Sequence, residues 1–300
     1  SQLDIKKLAD YIWRENFTCD EEKLVLSAQW KQMVNYVRNL IDETIEKDRK
    51  LRDEAKQFGD EELEPISDPR NCIPVVDVSG SMSGANVMQY SIALGILCSS
   101  ISKIPGKLIT FSDEPEVFSF DPNKDIFELF NEIRRCGWGG STNLDATFKL
   151  LLGEMVNARK NGLDISVNFS LLILTDGQFN EMVDYDESEN GGHKSFHQRQ
   201  EKMFKDSGFS VPVIIYWNLA TREVGFPVQS DQVGVKLVSG FSQTIMVEVM
   251  SGNYSKTSDD KVDVNPLDSF IKTMNDDSLK EIENILKDLW SKNIEVKEAW

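Results

Sequence analysis

Asp77-Val78-Ser79-Gly80-Ser81 sets one carboxylate and two hydroxyls on alternate residues, directly after the short apolar run Cys72 to Val76. That run reads as a buried strand, so the three oxygen side chains fall in the turn that leaves it. A strand–turn–helix at this point aims Asp77, Ser79 and Ser81 at one spot, and Gly80 and Gly84 are expected to let the backbone turn tightly. Carboxylate and hydroxyl oxygens are hard donors, suited to Mg²⁺, Ca²⁺ or Mn²⁺ rather than zinc. A set with so few carboxylates leaves the ion with net positive charge, and it then seeks an anionic oxygen from a partner. A lone Ser or Thr would be read as a turn or helix cap, its commoner use.

The elements that must position these residues follow from periodicity. Residues 3 to about 56 read as helices, with Leu24, Ala28, Val34, Val37, Ile41 and Ile45 near helical spacing. Gly59 to Arg70 is acidic, carries two prolines and has no apolar period, so it reads as a linker. Beyond it, apolar strands (72–76, 107–111, 117–120, 169–174, 211–217 and 235–238) alternate with helical stretches (85–104, 125–135, 143–161 and 193–206), and helices near 268–274 and 278–289 close the chain. Such alternation predicts a doubly wound α/β fold, with a mostly parallel sheet and helices on both faces. The organisation expected is a helical segment over 1–58 that could close a larger upstream region, a linker over 59–70, the α/β domain over 71–252, and a helical extension over 253–300. In open parallel sheets, ligands bind beyond the carboxyl ends of the strands. Asp77 ends the first buried strand, and Asp176 stands directly after FSLLIL-Thr175.

Asp77-x-Ser79-x-Ser81 resembles the metal-ion-dependent adhesion site of von Willebrand factor A domains. The resemblance implies a threonine from a second loop, matched by Thr142 in Cys136-Gly-Trp-Gly-Gly-Ser-Thr142, and an aspartate from a third, matched by Asp176 in Leu174-Thr-Asp176-Gly. It thus implies a divalent ion, Mg²⁺ or else Ca²⁺ or Mn²⁺, held by Asp77, Ser79, Ser81, Thr142 and Asp176. Trp138, Ser141 and Phe179, beside the second and third loops, are expected to face a protein partner that offers an Asp or Glu. Asp145 is expected to face solvent or cap a helix, and Asp113 to sit in a turn. DVSGSMSG, KLITFS, WGGSTNLDATF and SGFSQ are similar to an intracellular family of plants, fungi and large DNA viruses that is catalogued as a domain of unknown function. A more distant similarity is to the Ro ribonucleoprotein, in which such a domain follows an RNA-binding helical ring.

Fifty acidic residues against 33 basic ones give a net charge of −17, a field that repels phosphate backbones. An RNA-associated, Ro-like role is therefore the alternative to protein binding, supported only by the basic stretch around Lys194, Arg199, Lys202 and Lys205. His193 and His197 have a zinc-compatible spacing, but Lys194 replaces the glutamate of H-E-x-x-H and no third ligand is evident. No phosphate loop or G-x-S-x-G elbow occurs, so a metal-dependent hydrolase is only a second alternative and the expectation is a non-enzyme. The four cysteines form no C-x-x-C pair, Ser1 to Asp10 has no signal-peptide pattern, and no stretch suits a membrane helix. Together these point to the cytoplasm, or to a virion for a viral protein. A first residue other than Met suggests further sequence upstream.

Overall fold

The computed structural model describes residues 4–14, 20–58, 68–84, 86–111, 114–135, 143–162, 170–177, 196–220, 235–240, 245, 246 and 249. Its helices are α1 (Ile5–Arg14), α2 (Asp20–Phe58), α3 (Gly80–Gly84), α4 (Met88–Ile101), α5 (Ile126–Arg134), α6 (Leu144–Lys160) and α7 (Phe196–Asp206). Its strands are β1 (Cys72–Asp77), β2 (Lys107–Phe111), β3 (Glu116–Ser119), β4 (Ser170–Thr175), β5 (Val213–Asn218) and β6 (Val235–Ser239). The helices expected near 268–274 and 278–289 lie outside the described residues. Residues 1–262 form one compact unit.

The strands make one six-stranded sheet in the order β3-β2-β1-β4-β5-β6. All neighbours run parallel except β2 and β3, which pair as an antiparallel hairpin. From β1 the chain moves outward to β2, then returns to β4 on β1's other side, so strand order reverses between β1 and β4. This is the doubly wound α/β architecture of von Willebrand factor A and Rossmann-like folds, and in such sheets ligands bind at the point of reversal.

Alternation along the strands divides the core into two layers. Val76, Leu172, Leu174, Ile215 and Trp217 face a core built with α1, α2, α4 and α5. Val75, Ile173, Ile214 and Tyr216 face the other, where Phe148 of α6 and Phe204 of α7 meet edge to face. Every residue of α4 except Ser100 is buried, as suits a helix that is apolar on all sides. The sheet covers one of its sides, and Ile5, Leu8, Ile12, Trp30, Met33 and Val37 of α1 and α2 belong to the same core. Polar bonds fix this layer: Asp10 accepts from Gln89 Nε2 (2.9 Å) and Tyr90 Oη (3.2 Å), and the Arg134 guanidinium stacks on Trp13 at 3.9 Å.

Two features place α4 behind the strand that ends on Asp77. Gly95 lies so close to β1 that a Cβ there would run into Cγ2 of Val76. At its other end α4 stops at Ile101 rather than continuing to Ile104, because Ser102 turns extended (ψ 154°) and its hydroxyl donates to the Cys72 carbonyl at 3.0 Å. The helix also starts three residues later than the apolar pattern predicts. Asn86 takes a left-handed φ of 54°, which separates α4 from α3, a short helix that the apolar pattern does not predict.

Candidate metal centre

Asp77 is the last residue of β1, and its carboxylate is fully buried. Its Oδ1 accepts the backbone N–H of Ser79 at 2.9 Å, a local bond that folds the turn over the strand end. Its Oδ2 accepts the hydroxyl of Thr175, the last residue of β4, at 2.7 Å. Ser79 Oγ lies 2.9 Å from Ser81 Oγ, so both hydroxyls converge beside the carboxylate. Asp176 follows β4 directly and is 1% exposed. The fold thus brings four of the expected ligands, Asp77, Ser79, Ser81 and Asp176, to the carboxyl ends of β1 and β4. Thr142 lies outside the described residues, as do Trp138, Ser141 and Phe179.

Burial, above all, pushes the Asp77 carboxyl up to about 6. The bonds from Ser79 and Thr175 pull it down, and the nearby charge of Asp176 pushes it up again. Among the described residues no salt bridge reaches Asp77. Two carboxylates and two hydroxyls are a hard-oxygen set, and a divalent cation among them would offset the cost of burying two anions together. No group of three or more His, Cys, Asp or Glu gathers among the described residues, so a site here depends on hydroxyl donors.

The turns differ in detail from the expectation. Gly80 and Gly84 have room for a Cβ and lie within α3, so neither is needed for a tight turn. The glycine that is needed is Gly177, with φ 81°, which lets the chain turn immediately after Asp176. Thr175 is the residue that the sequence pattern does not single out. Its only signal is its place at a strand end, since a hydroxyl one residue before Asp176 comes to stand across from Asp77 once β4 lies beside β1.

Asp145 lies in the first turn of α6, where it accepts from Gln200 Nε2 at 2.8 Å and pairs with Lys149. The helix cap is instead Asn143, whose Oδ1 accepts the Ala146 N–H at 3.0 Å. Trp217 is fully buried and donates from Nε1 to the Gly240 carbonyl at 2.8 Å, so it belongs to the core. Cys72 and Cys98 are both buried. Asp113, His193, Lys194 and the side chain of His197 lie outside the described residues.

A family model described as a domain of unknown function (DUF7788) matches residues 71–288. An uncharacterized protein of Acanthamoeba polyphaga mimivirus is 33% identical over 184 residues, which is 60% of this chain and 30% of the viral protein. The chain therefore matches less than a third of that relative's length. Among solved structures, the Ro (RSR) protein of Deinococcus radiodurans aligns with a TM-score of 0.36 at 16% identity, over 65% of this chain and 36% of that one.

Proposed function

This chain belongs to the DUF7788 family, and from that premise we propose that it is a metal-dependent protein-binding module. An ion of the Mg²⁺ type is held by Asp77, Ser79, Ser81 and Asp176, with Thr142 as the ligand from the second loop. A partner's Asp or Glu completes the coordination. Contacts from the two aspartates pass in part through water.

One observation carries the reading: Asp77 and Asp176 are 0% and 1% exposed, at the carboxyl ends of adjacent parallel strands, beside two touching serine hydroxyls. Two neighbouring buried carboxylates favour a cation. Hydroxyls supply oxygen without charge, so the bound ion retains attraction for an outside carboxylate. In this role the site carries out no catalytic step. Among the described residues no helix is long and apolar enough to cross a membrane.

An RNA-binding reading draws little from α7, because Lys205 pairs with Glu201 at 2.6 Å and the net charge is −17. Calorimetric titration of the chelated protein with Mg²⁺, Ca²⁺ and Mn²⁺ tests the main reading. One ion should bind to the wild type, and Asp77→Ala should lose it. Metal and partner binding that both survive in Asp77→Ala would overturn the reading.

A further inference from the structure

Thr175 occupies a position between the two carboxylates that the ligand set alone does not explain. Its hydroxyl accepts the Gly177 N–H at 3.2 Å and donates to Asp77 Oδ2 at 2.7 Å. A hydroxyl has one proton, and the amide has already fixed which way the chain of bonds runs. The order is therefore Gly177 N–H to Thr175 O–H to Asp77 Oδ2. With the Ser79 N–H on Oδ1, both oxygens of the Asp77 carboxylate are oriented by donors from the protein.

The backbone of Thr175 is equally constrained. Its carbonyl accepts the Leu219 N–H at 2.8 Å, and the residue is in register with Asn218 of β5. One position earlier, the Leu174 carbonyl accepts from Ser91 Oγ of α4 at 3.0 Å. Thr175 is 1% exposed, so no bulk water competes for its bonds.

From this geometry we infer that Thr175 is a positioning residue of the candidate metal centre, tying the Asp77 carboxylate to the turn that carries Asp176. The inference rests on the metal-binding reading and deepens it. Thr175 need not touch the ion. It holds one carboxylate at a set orientation, and through Gly177 it holds the turn beside the other. Groups that orient ligands in this way are worth about 10- to 100-fold in metal affinity. A residue needed only for packing would act through its shape, and valine keeps that shape without the hydroxyl.

The test is Mg²⁺ and Mn²⁺ titration of chelated wild type, Thr175→Val and Thr175→Ser, with thermal unfolding of each in chelator. Thr175→Val should bind about 10- to 100-fold more weakly. Thr175→Ser, which keeps the hydroxyl, should recover most of the affinity. If Thr175→Val does not fold, Thr175→Ala takes its place in the same series. Wild-type affinity in the hydroxyl-free variant would overturn the inference and leave the metal reading standing. Equal weakening in Thr175→Ser would overturn it too, since the methyl and not the hydroxyl would then matter. A wild type that binds neither ion would remove the metal reading and the inference with it.

Discussion

Asp68 and Asp77 stand at opposite ends of β1, the first just before it and the second as its last residue. Asp68 receives bonds from the Arg70 side chain and backbone and a salt bridge from Lys103 at 3.0 Å. Arg70 also reaches Asp42 of α2 at 2.7 Å, so the cluster ties the long helix to the foot of the sheet. Burial alone would raise the Asp68 carboxyl, but these cations hold it below the usual carboxylate range. Asp77 is the reverse case: it is more deeply buried, its donors are neutral, and its carboxyl is raised. The cluster at the foot is balanced and structural. Among the described residues no salt bridge reaches Asp77, and a bound ion would supply the positive charge that Arg70 and Lys103 supply to Asp68.

The largest test of this contrast exchanges each carboxylate for its amide. Asp77→Asn should weaken Mg²⁺ binding at least about 100-fold while the chelated protein melts no lower than wild type, because a buried charge has been removed. Asp68→Asn should leave metal affinity unchanged. Loss of metal binding in both would dissolve the distinction between the two ends.

The pH dependence in chelator comes next. The folded Asp77 carboxyl stays protonated up to about 6, against an ordinary value of 3.8. The folded state therefore binds the extra proton between those values, and stability falls as pH rises through them. The contribution is fully present below the lower value and lost above the upper one, amounting to about 3 kcal/mol if the whole shift counts. Asp68 has the opposite sign, with stability present above its unfolded value and lost on acidification. Urea midpoints between pH 4 and 7 measure the difference, and Asp77→Asn should flatten the slope. Equal slopes in wild type and Asp77→Asn would show that Asp77 carries no such strain. Mg²⁺ should counter the fall, since it binds the ionised carboxylate.

A smaller effect is expected at Gly95, which sets the distance between α4 and the strand that delivers Asp77. Gly95→Ala should cost about 1–3 kcal/mol by overpacking against Val76. It should also weaken metal binding, because Ser91 on the same helix anchors the Leu174 carbonyl beside Thr175. Denaturant midpoints and the same titration check both points. The smallest effect belongs to the foot of the sheet: Asp68→Asn should lower stability by about 1 kcal/mol or less, since its ion pairs are partly solvated. A larger loss would mean that this cluster carries more of the fold than its exposure suggests.

Much of this architecture is legible in the amino-acid sequence. Apolar runs with helical stretches between them define the α/β class, because burial on both faces of a parallel sheet demands such runs. Asp77, Ser79 and Ser81 are legible as members of one turn because local spacing controls a turn. Asp176 is legible because a strand must end where a charged residue follows its apolar run. Other features depend on what approaches from elsewhere in the chain. The spacing around Ser79 points to Gly80 and Gly84, yet the left-handed turn falls at Gly177. Thr175 gains its role only when β4 lies beside β1, and nothing in its own neighbourhood announces a partner 98 residues away. Likewise α1 and α2 read as ordinary amphipathic helices, and only packing reveals that they share α4's core. Composition and periodicity determine what each segment must bury; the order of strands decides which oxygens meet, and that order is settled by long-range packing rather than by any local pattern.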